Sequence, residues 1–138
     1  MKGKKVDHIG IAVKSIEEKI NIYKDFLGFD EIEIEELKDR GLRVAMIKVG
    51  ETRIELLEST SDYSTIKKYL EKKGEGIHHI AYEVDNFDKI ELLAEKENIK
   101  LLGKPAIGAG GSQVVFLHPK TTGGVLIELV LRRKENDE

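Results

Sequence analysis

The sequence predicts an α+β fold in which two tandem βαβββ modules form a curved mixed sheet around a cleft. Two observations carry this prediction. The alternating stretch at residues 8–13 nearly recurs at residues 79–84, and each copy opens on a histidine that apolar residues follow at every second position. Each copy is later followed by a short acidic strand, at residues 52–57 and at residues 125–130. Such internal similarity is typical of a duplicated structural unit.

The spacing within the two copies is nearly the same. His8 precedes Glu55 by 47 residues, and His79 precedes Glu128 by 49 residues. The repeated His-to-Glu span therefore indicates one module length used twice.

Composition limits the class of protein. At 138 residues with a net charge of −3, the chain suits one domain, residues 1–138, without the basic excess of a nucleic-acid or membrane-surface protein. The absence of cysteine excludes disulfides, thiolate metal sites and a cysteine nucleophile. No apolar run is long enough for a bilayer and the Lys-rich start lacks a signal-peptide core, so we expect a soluble cytoplasmic protein. A charged fraction of 36%, rich in Lys and Glu, is typical of a thermophilic source.

The first module is expected over residues 5–59. Ser15 and Glu18 form a capping box, so a helix should begin there and run to about Leu27. Its buried stripe should comprise Ile16, Ile20, Tyr23 and Leu27. The strands of this module are expected at residues 5–13, 30–37, 42–49 and 52–58.

A linking helix within residues 60–75 should lead to the second module, residues 76–132. The inward residues of this linker should be Ile66, Tyr69 and Leu70. Asn86 is expected to cap the helix of the second module, which should run to about Glu97. The strands of this module are expected at residues 77–84, 99–103, 112–117 and 125–132. Residues 133–138 are charged and without periodicity, so we expect a frayed tail.

Strand alternation places four polar residues on the sheet face that each module's own helix does not cover. In each strand the apolar residues occupy alternate positions, so the polar candidate points the other way. The four candidates are His8, Glu55, His79 and Glu128. We expect this face to be open and the paired sheets to curl it into a cleft.

A pseudo-twofold axis relating the modules would bring these four side chains together. Two imidazoles and two carboxylates suit a divalent cation, for which we expect Co²⁺, with Mn²⁺, Ni²⁺, Zn²⁺ or Mg²⁺ as alternatives. Coordination positions left to water or substrate would make this a working site. Each residue alone is more often a solvated or satisfied polar group. Their agreement in type, face and repeat position favours the functional interpretation.

Three weaker candidates for substrate binding lie near the end of the chain: Ser112, His118 and Lys120. His118 precedes a turn and is equally consistent with a surface turn residue. The glycine-rich run at residues 108–111 could offer backbone N–H groups to an anion, although glycine loops are mostly just flexible.

Other polar residues near these candidates have simpler interpretations. His78 has the opposite alternation to His79, so we expect it to pack or to donate a hydrogen bond to a ligand residue. Arg43 and Arg53 are expected to be solvated charges.

The motifs resemble those of the vicinal oxygen chelate superfamily, whose glyoxalase fold serves glyoxalase I, extradiol dioxygenases and fosfomycin-resistance proteins. Within it, the Gly-Ile-His-His-Ile-Ala and His-Pro-Lys segments are similar to the methylmalonyl-CoA epimerase family. The resemblance covers nearly the whole chain, through residues 6–13, 54–58, 74–81, 116–120 and 124–129.

This resemblance implies a homodimer that uses a metal ion to interconvert (R)- and (S)-methylmalonyl-CoA, an acyl-CoA substrate. It also implies metal ligands at the four candidate positions. Many members have Gln where this chain has Glu55, and some of those place a free Glu on the preceding strand as a base. That strand, at residues 41–46, has no carboxylate here, so that second base cannot be transferred to this chain.

The implied reaction removes a proton from the carbon α to the thioester and returns one to the opposite face through a metal-stabilised enolate. Our hypothesis is that Glu55 and Glu128 are the two acid–base groups, on opposite sides of the metal as in the glyoxalase I arrangement.

Two other functions stay open. A glyoxalase I-type lactoylglutathione lyase would use the same metal site on a glutathione hemithioacetal. A small-molecule binding module of the same fold would need no metal. No P-loop or dinucleotide fingerprint is present, so the sequence does not locate the CoA nucleotide.

Overall fold

The structure, a computed structural model, describes residues 1–132 apart from the side chain of Ala109, so the tail expected at residues 133–138 lies outside the described residues. The contacts divide the chain into two compact units. The first unit is residues 8–78, and in the second unit residues 1–7 join the residues from 79 onward. The single domain and the module bounds expected from the sequence stay predictions.

A mixed sheet in the order β2-β3-β4-β1 forms the first unit. Residues 8–12 of β1 (Gly3–Ala12) pair in parallel with β4 (Thr52–Ser59). β4 also pairs antiparallel with β3 (Leu42–Val49), which pairs antiparallel with β2 (Ile32–Leu37). Parallel and antiparallel ladders therefore meet on β4, between its two neighbours.

The first helix, α1 (Ile16–Asn21), begins as expected, because the Ser15 side chain accepts a hydrogen bond from the Glu18 N–H. The chain then continues as a π-helical segment (Ile22–Phe26), in which the Leu27 N–H donates to the Ile22 carbonyl.

The expected burial of Leu27 is wrong, since its side chain is 53% exposed. The wider π turn holds one more residue than an α turn, which rotates the positions after Tyr23 away from the core. Phe29 instead packs against the core on which Tyr23 and Ile20 also pack.

The linking helix is α2 (Thr65–Lys73), capped by the Ser64 hydroxyl, which accepts a hydrogen bond from the Lys67 N–H. Ile66 is 1% exposed and packs on Ala12, Leu42, Val44 and Leu57, with Tyr69 and Leu70 alongside. The inward face predicted for this helix is therefore confirmed. The expectation that the opposite sheet face is left open is wrong at this end, because α2 covers it.

The second unit repeats the arrangement with a sheet in the order β5-β8-β7-β6. β5 (Gly76–Val84), from residue 79 onward, pairs in parallel with β8 (Ile127–Leu131). β7 (Gln113–Leu117) pairs antiparallel with β8 and with β6 (Leu101–Ile107). The predicted α+β class with a repeated β-α-β-β-β order is confirmed.

The helix of the second unit, α3 (Ile90–Lys96), begins four residues after the expected cap at Asn86. The side-chain Oδ1 of Asn86 instead accepts a hydrogen bond from the Asp88 N–H, which closes a turn. Phe87 then packs on the core that contains Ile90. The predicted cap is therefore wrong, because a local turn competes with the helix for the same Asn side chain.

Within residues 1–132, no helix combines the length and the apolar character needed to cross a bilayer.

Candidate metal-binding residues

His8 and Glu55 lie together on one face of the sheet in the first unit. Glu55 stands opposite Gly10 in the parallel ladder, and His8 is two residues earlier on the same face of β1. Both side chains are buried, at 4% and 3% exposure. Nδ1 of His8 lies 3.4 Å from Oε2 of Glu55. Strand alternation places both residues on the sheet face away from α1, as expected from the sequence.

Arg53 belongs to the same group, although the sequence suggested only a solvated charge. Its Nη2 atom lies 3.6 Å from Oε2 of Glu55, and Nη1 contacts the Met46 sulfur at 3.9 Å. The side chain is 27% exposed. The sequence feature that could have predicted this contact was the spacing of Arg53 from Glu55, because residues 53 and 55 of one strand share a face.

His79 and Glu128 form the corresponding pair in the second unit. Glu128 stands opposite Ala81 in the parallel β5–β8 ladder, so it shares a face with His79. Nε2 of His79 lies 2.9 Å from Oε1 of Glu128, and both residues are 6% exposed. The Phe116 ring packs against the imidazole in a T-shaped arrangement, with ring centroids 5.7 Å apart. This imidazole therefore contacts both an aromatic ring and its carboxylate partner.

Each unit thus buries one imidazole and one carboxylate in contact, which is a donor set that fits a divalent cation. Imidazole nitrogen and carboxylate oxygen are ligands for Co²⁺, Mn²⁺, Ni²⁺ and Zn²⁺. Burying ionisable groups is costly unless they are paired or bind a metal. The expectation that both pairs bind one ion stays a prediction.

The glycine-rich turn before Ser112 uses its own backbone donors. The Gly108 N–H donates to the Ser112 carbonyl at 2.9 Å, and the Gly111 N–H donates to the Gly108 carbonyl at 3.2 Å. The suggestion that this run offers its N–H groups to an anion is therefore wrong for these two. Ser112 itself is 4% exposed.

His118 caps the short turn that contains Lys120. Its Nδ1 accepts a hydrogen bond from the Lys120 N–H at 3.1 Å, and its carbonyl accepts from the Thr121 N–H at 2.9 Å. An imidazole that accepts through Nδ1 is neutral with a proton on Nε2, which is then its donor. The Lys120 side chain is exposed.

Sequence reasoning missed Asp7, the residue before His8. This carboxylate is 3% exposed and accepts two hydrogen bonds of 2.7 Å from Arg132. The signal was an acidic residue inside an apolar strand. His78, in contrast, packs against Tyr69 in a T-shaped arrangement, with ring centroids 5.0 Å apart, which is one of the two roles expected for it.

Comparison with known proteins identifies the family of the chain. Residues 7–116 match the model of the glyoxalase/bleomycin resistance protein/dioxygenase superfamily. The chain is 39% identical to the mitochondrial methylmalonyl-CoA epimerase of Mus musculus over 127 residues, which are 91% of this chain and 71% of that protein.

Two solved structures have the same fold at similar identity. The methylmalonyl-CoA epimerase of Mycobacterium tuberculosis has a TM-score of 0.87 at 34% identity, covering 95% of this chain and 89% of that one. A variant of the Streptomyces coelicolor methylmalonyl-CoA epimerase, in complex with 2-nitronate-propionyl-CoA, has a TM-score of 0.89 at 34% identity, covering 96% and 100%. The chain therefore belongs to the glyoxalase/bleomycin resistance protein/dioxygenase superfamily and, within it, to the methylmalonyl-CoA epimerase family.

Proposed function

We propose that this chain is a metal-dependent epimerase that interconverts (R)- and (S)-methylmalonyl-CoA. The observation that carries the proposal is the buried His–Glu contact found once in each unit, at 3.4 Å and at 2.9 Å. Membership of an epimerase family gives this donor set its chemistry. The fold alone would not, because one fold serves many reactions.

The four residues that would hold the cation are His8, Glu55, His79 and Glu128. Their types support this assignment, as does the equivalent position of each His and each Glu in the two repeats. Bound there, a divalent cation supplies Lewis-acid stabilisation of the negative charge that develops on the thioester oxygen.

The chain's own task is to move a proton at the α-carbon. Epimerisation needs a group that removes a proton from one face and a second group that returns one to the other face. Glu55 and Glu128 fit these two roles, because they are carboxylates at equivalent positions of the repeat and both are buried. A buried site also excludes bulk water from the enolate.

Ser112, His118 and Lys120 are the residues we assign to binding of the acyl-CoA. The supporting contact is the hydrogen bond from the Lys120 N–H to Nδ1 of His118. It leaves Nε2–H of His118 to donate to a carbonyl oxygen of the substrate, and the Lys120 ammonium to attract phosphate.

Finer properties follow from the donor types and the family resemblance. We propose Co²⁺ as the cation, since nitrogen and oxygen ligands accept several metals and Co²⁺ is one that they suit. We also propose a homodimer that acts in the cytoplasm. A thermophilic source stays a prediction.

One experiment tests the function against its two alternatives. The purified chain, with Co²⁺ and after removal of metal by a chelator, is incubated with (R)-methylmalonyl-CoA, and separately with methylglyoxal and glutathione. We expect the (S)-enantiomer to form only in the metal-loaded sample. Formation of lactoylglutathione instead would identify the lyase. Absence of both turnover and Co²⁺ binding would favour the alternative that the chain is a metal-free small-molecule binding module.

A further inference from the structure

A bidentate ion pair closes the end of β8 onto β1 within the second unit. Nε of Arg132 donates to Oδ1 of Asp7 and Nη2 donates to Oδ2, both at 2.7 Å. The Asp7 side chain is 3% exposed and the Arg132 side chain 27% exposed. Two parallel, charge-assisted hydrogen bonds fix orientation as well as distance. The contact joins residues 125 positions apart in the chain.

The position of this pair in the chain relates it to the proposed ligands. Asp7 lies in β1, in the part of that strand that belongs to the second unit together with β8. Arg132 follows Glu128 by four residues and is the first residue after β8. Within the second unit, the ion pair therefore fixes the end of the strand that carries Glu128.

The same guanidinium lies against the turn that precedes Ser112. A Cβ atom at Gly110 would stand 3.5 Å from Nη1 of Arg132, and Gly110 has a φ of +69°. The guanidinium therefore lies near this turn as well as in contact with Asp7.

A contribution to the stability of the fold does not by itself explain why an ion pair stands at this position. Removing a carboxylate and a guanidinium from water costs several kcal/mol, and apolar residues of similar volume often replace a buried ion pair without loss. A bidentate pair does what an apolar contact cannot, since it fixes one strand relative to another in a single geometry. Metal affinity depends strongly on such fixed donor positions.

We propose that the Asp7–Arg132 ion pair fixes the position of residues that bind the cation. This proposal rests on the metal-dependent function proposed above. Its role is to fix the end of β8 beyond Glu128, so that Glu128 and His79 of the second unit keep the geometry that metal binding needs. Neither Asp7 nor Arg132 is a catalytic residue in this scheme.

The test compares two conservative substitutions. Arg132→Lys keeps the charge but cannot form the parallel hydrogen bonds. Arg43→Lys is the matched control, because Arg43 pairs with Glu58 at 3.3 Å and its side chain is 28% exposed. Asp7→Asn serves as a second variant, so that the answer does not depend on the folding of one protein. Co²⁺ affinity is measured by calorimetric titration of metal-free protein, at a temperature at which circular dichroism shows all samples folded.

We expect Arg132→Lys and Asp7→Asn to bind Co²⁺ about 10- to 100-fold more weakly than the wild type. Their Co²⁺ absorption bands should also change, while Arg43→Lys should match the wild type in both measurements. Wild-type affinity and spectrum in the Arg132 and Asp7 variants, or equal weakening in the Arg43 control, would overturn the proposal. Absence of Co²⁺ binding by the wild type is a separate result, because it would overturn the proposed function.

Discussion

Nε2 of His79 lies 2.9 Å from Oε1 of Glu128, and the equivalent pair of the first unit is not its copy. There, His8 approaches Glu55 through Nδ1 at 3.4 Å, and the Arg53 guanidinium stands 3.6 Å from the same carboxylate oxygen. The two pairs therefore differ in which imidazole nitrogen meets the carboxylate and at what distance, although strand pairing places them equivalently. We expect the two carboxylates not to be interchangeable in the reaction.

Replacing either carboxylate by its amide should separate the two proton transfers. Glu128→Gln and Glu55→Gln should each lower kcat by about 100-fold or more, the typical contribution of an acid–base group. Each variant should still exchange the α-proton of one enantiomer with solvent, because one base remains. The measurement is deuterium uptake from D₂O by each enantiomer, with the bound metal quantified. A Glu55→Gln protein with full metal content and near-normal turnover would exclude Glu55 as a base.

Ile66 packs α2 onto the first sheet, so truncating its side chain should lower the stability of the protein. The side chain is 1% exposed, and Ile66→Ala should lower the free energy of unfolding by about 2–5 kcal/mol through lost burial and a new cavity. Urea denaturation provides the measurement. Leu92→Ala is the control, since Leu92 is 64% exposed and the change should stay within about 0.5 kcal/mol. Equal effects of the two would mean that α2 is not packed as described.

Two glycines with nearly the same backbone conformation allow the effect of steric crowding on stability to be separated from the cost of a left-handed backbone conformation. Gly41 has a φ of +65°, and a Cβ there would lie 2.5 Å from the Ser61 hydroxyl. Gly50 has a φ of +64° with nothing within 4 Å of its Cβ position. Gly50→Ala should cost only the left-handed penalty of about 1–2 kcal/mol. We expect Gly41→Ala to lower Tm further than Gly50→Ala, and equal losses would contradict the close contact.

Glu75 should make stability depend on pH in the acid range. The Lys14 backbone N–H, which donates to this carboxylate at 2.8 Å, and the nearby Lys19 ammonium hold the pKa of Glu75 below its usual 4.5. The depressed pKa means that its stabilising contribution is fully present above the unfolded-state pKa. The contribution is lost as the pH falls from about 4.5 through the lower folded-state value.

The measurement is the Tm of Glu75→Gln and of the wild type at pH 7 and at pH 3. The variant should be the less stable protein at pH 7, and the difference should shrink as the pH is lowered to 3, because protonation of the wild-type carboxyl removes the charge that these contacts stabilise. Glu95→Gln, on the exposed side of α3, is the control for the loss of an exposed carboxylate, and its Tm at pH 7 should match that of the wild type. A Glu75→Gln deficit that grows on acidification would contradict the stated sign.

The sheet face of each candidate residue could be predicted because strand alternation is a local property. Successive residues of a strand point to opposite faces, so the sequence shows that His8, Glu55, His79 and Glu128 lie opposite their apolar neighbours. The roles of Arg53 and Asp7 were not, because a charge in a strand is usually solvated. Their partners are set by sheet register and, for Asp7, by a residue 125 positions away.

Helix details were the weakest predictions for a related reason. Asn86 is equally suited to a helix cap and to a local turn, and the burial of Phe87 and Ile90 decides between them. Leu27 follows the helical period, but the π turn moves it into solvent and brings Phe29 to the core.

By itself the sequence determined the repeat, the order of helix and strands along each copy, and the placement of one His and one Glu on the same face of each copy, because alternation and spacing are properties of neighbouring residues. Only the tertiary structure decided which end of the first sheet α2 covers, that the Arg53 guanidinium lies beside Glu55, and that Asp7 and Arg132 form an ion pair. Those outcomes depend on contacts between distant segments, which form once the sheets have paired and no local pattern specifies.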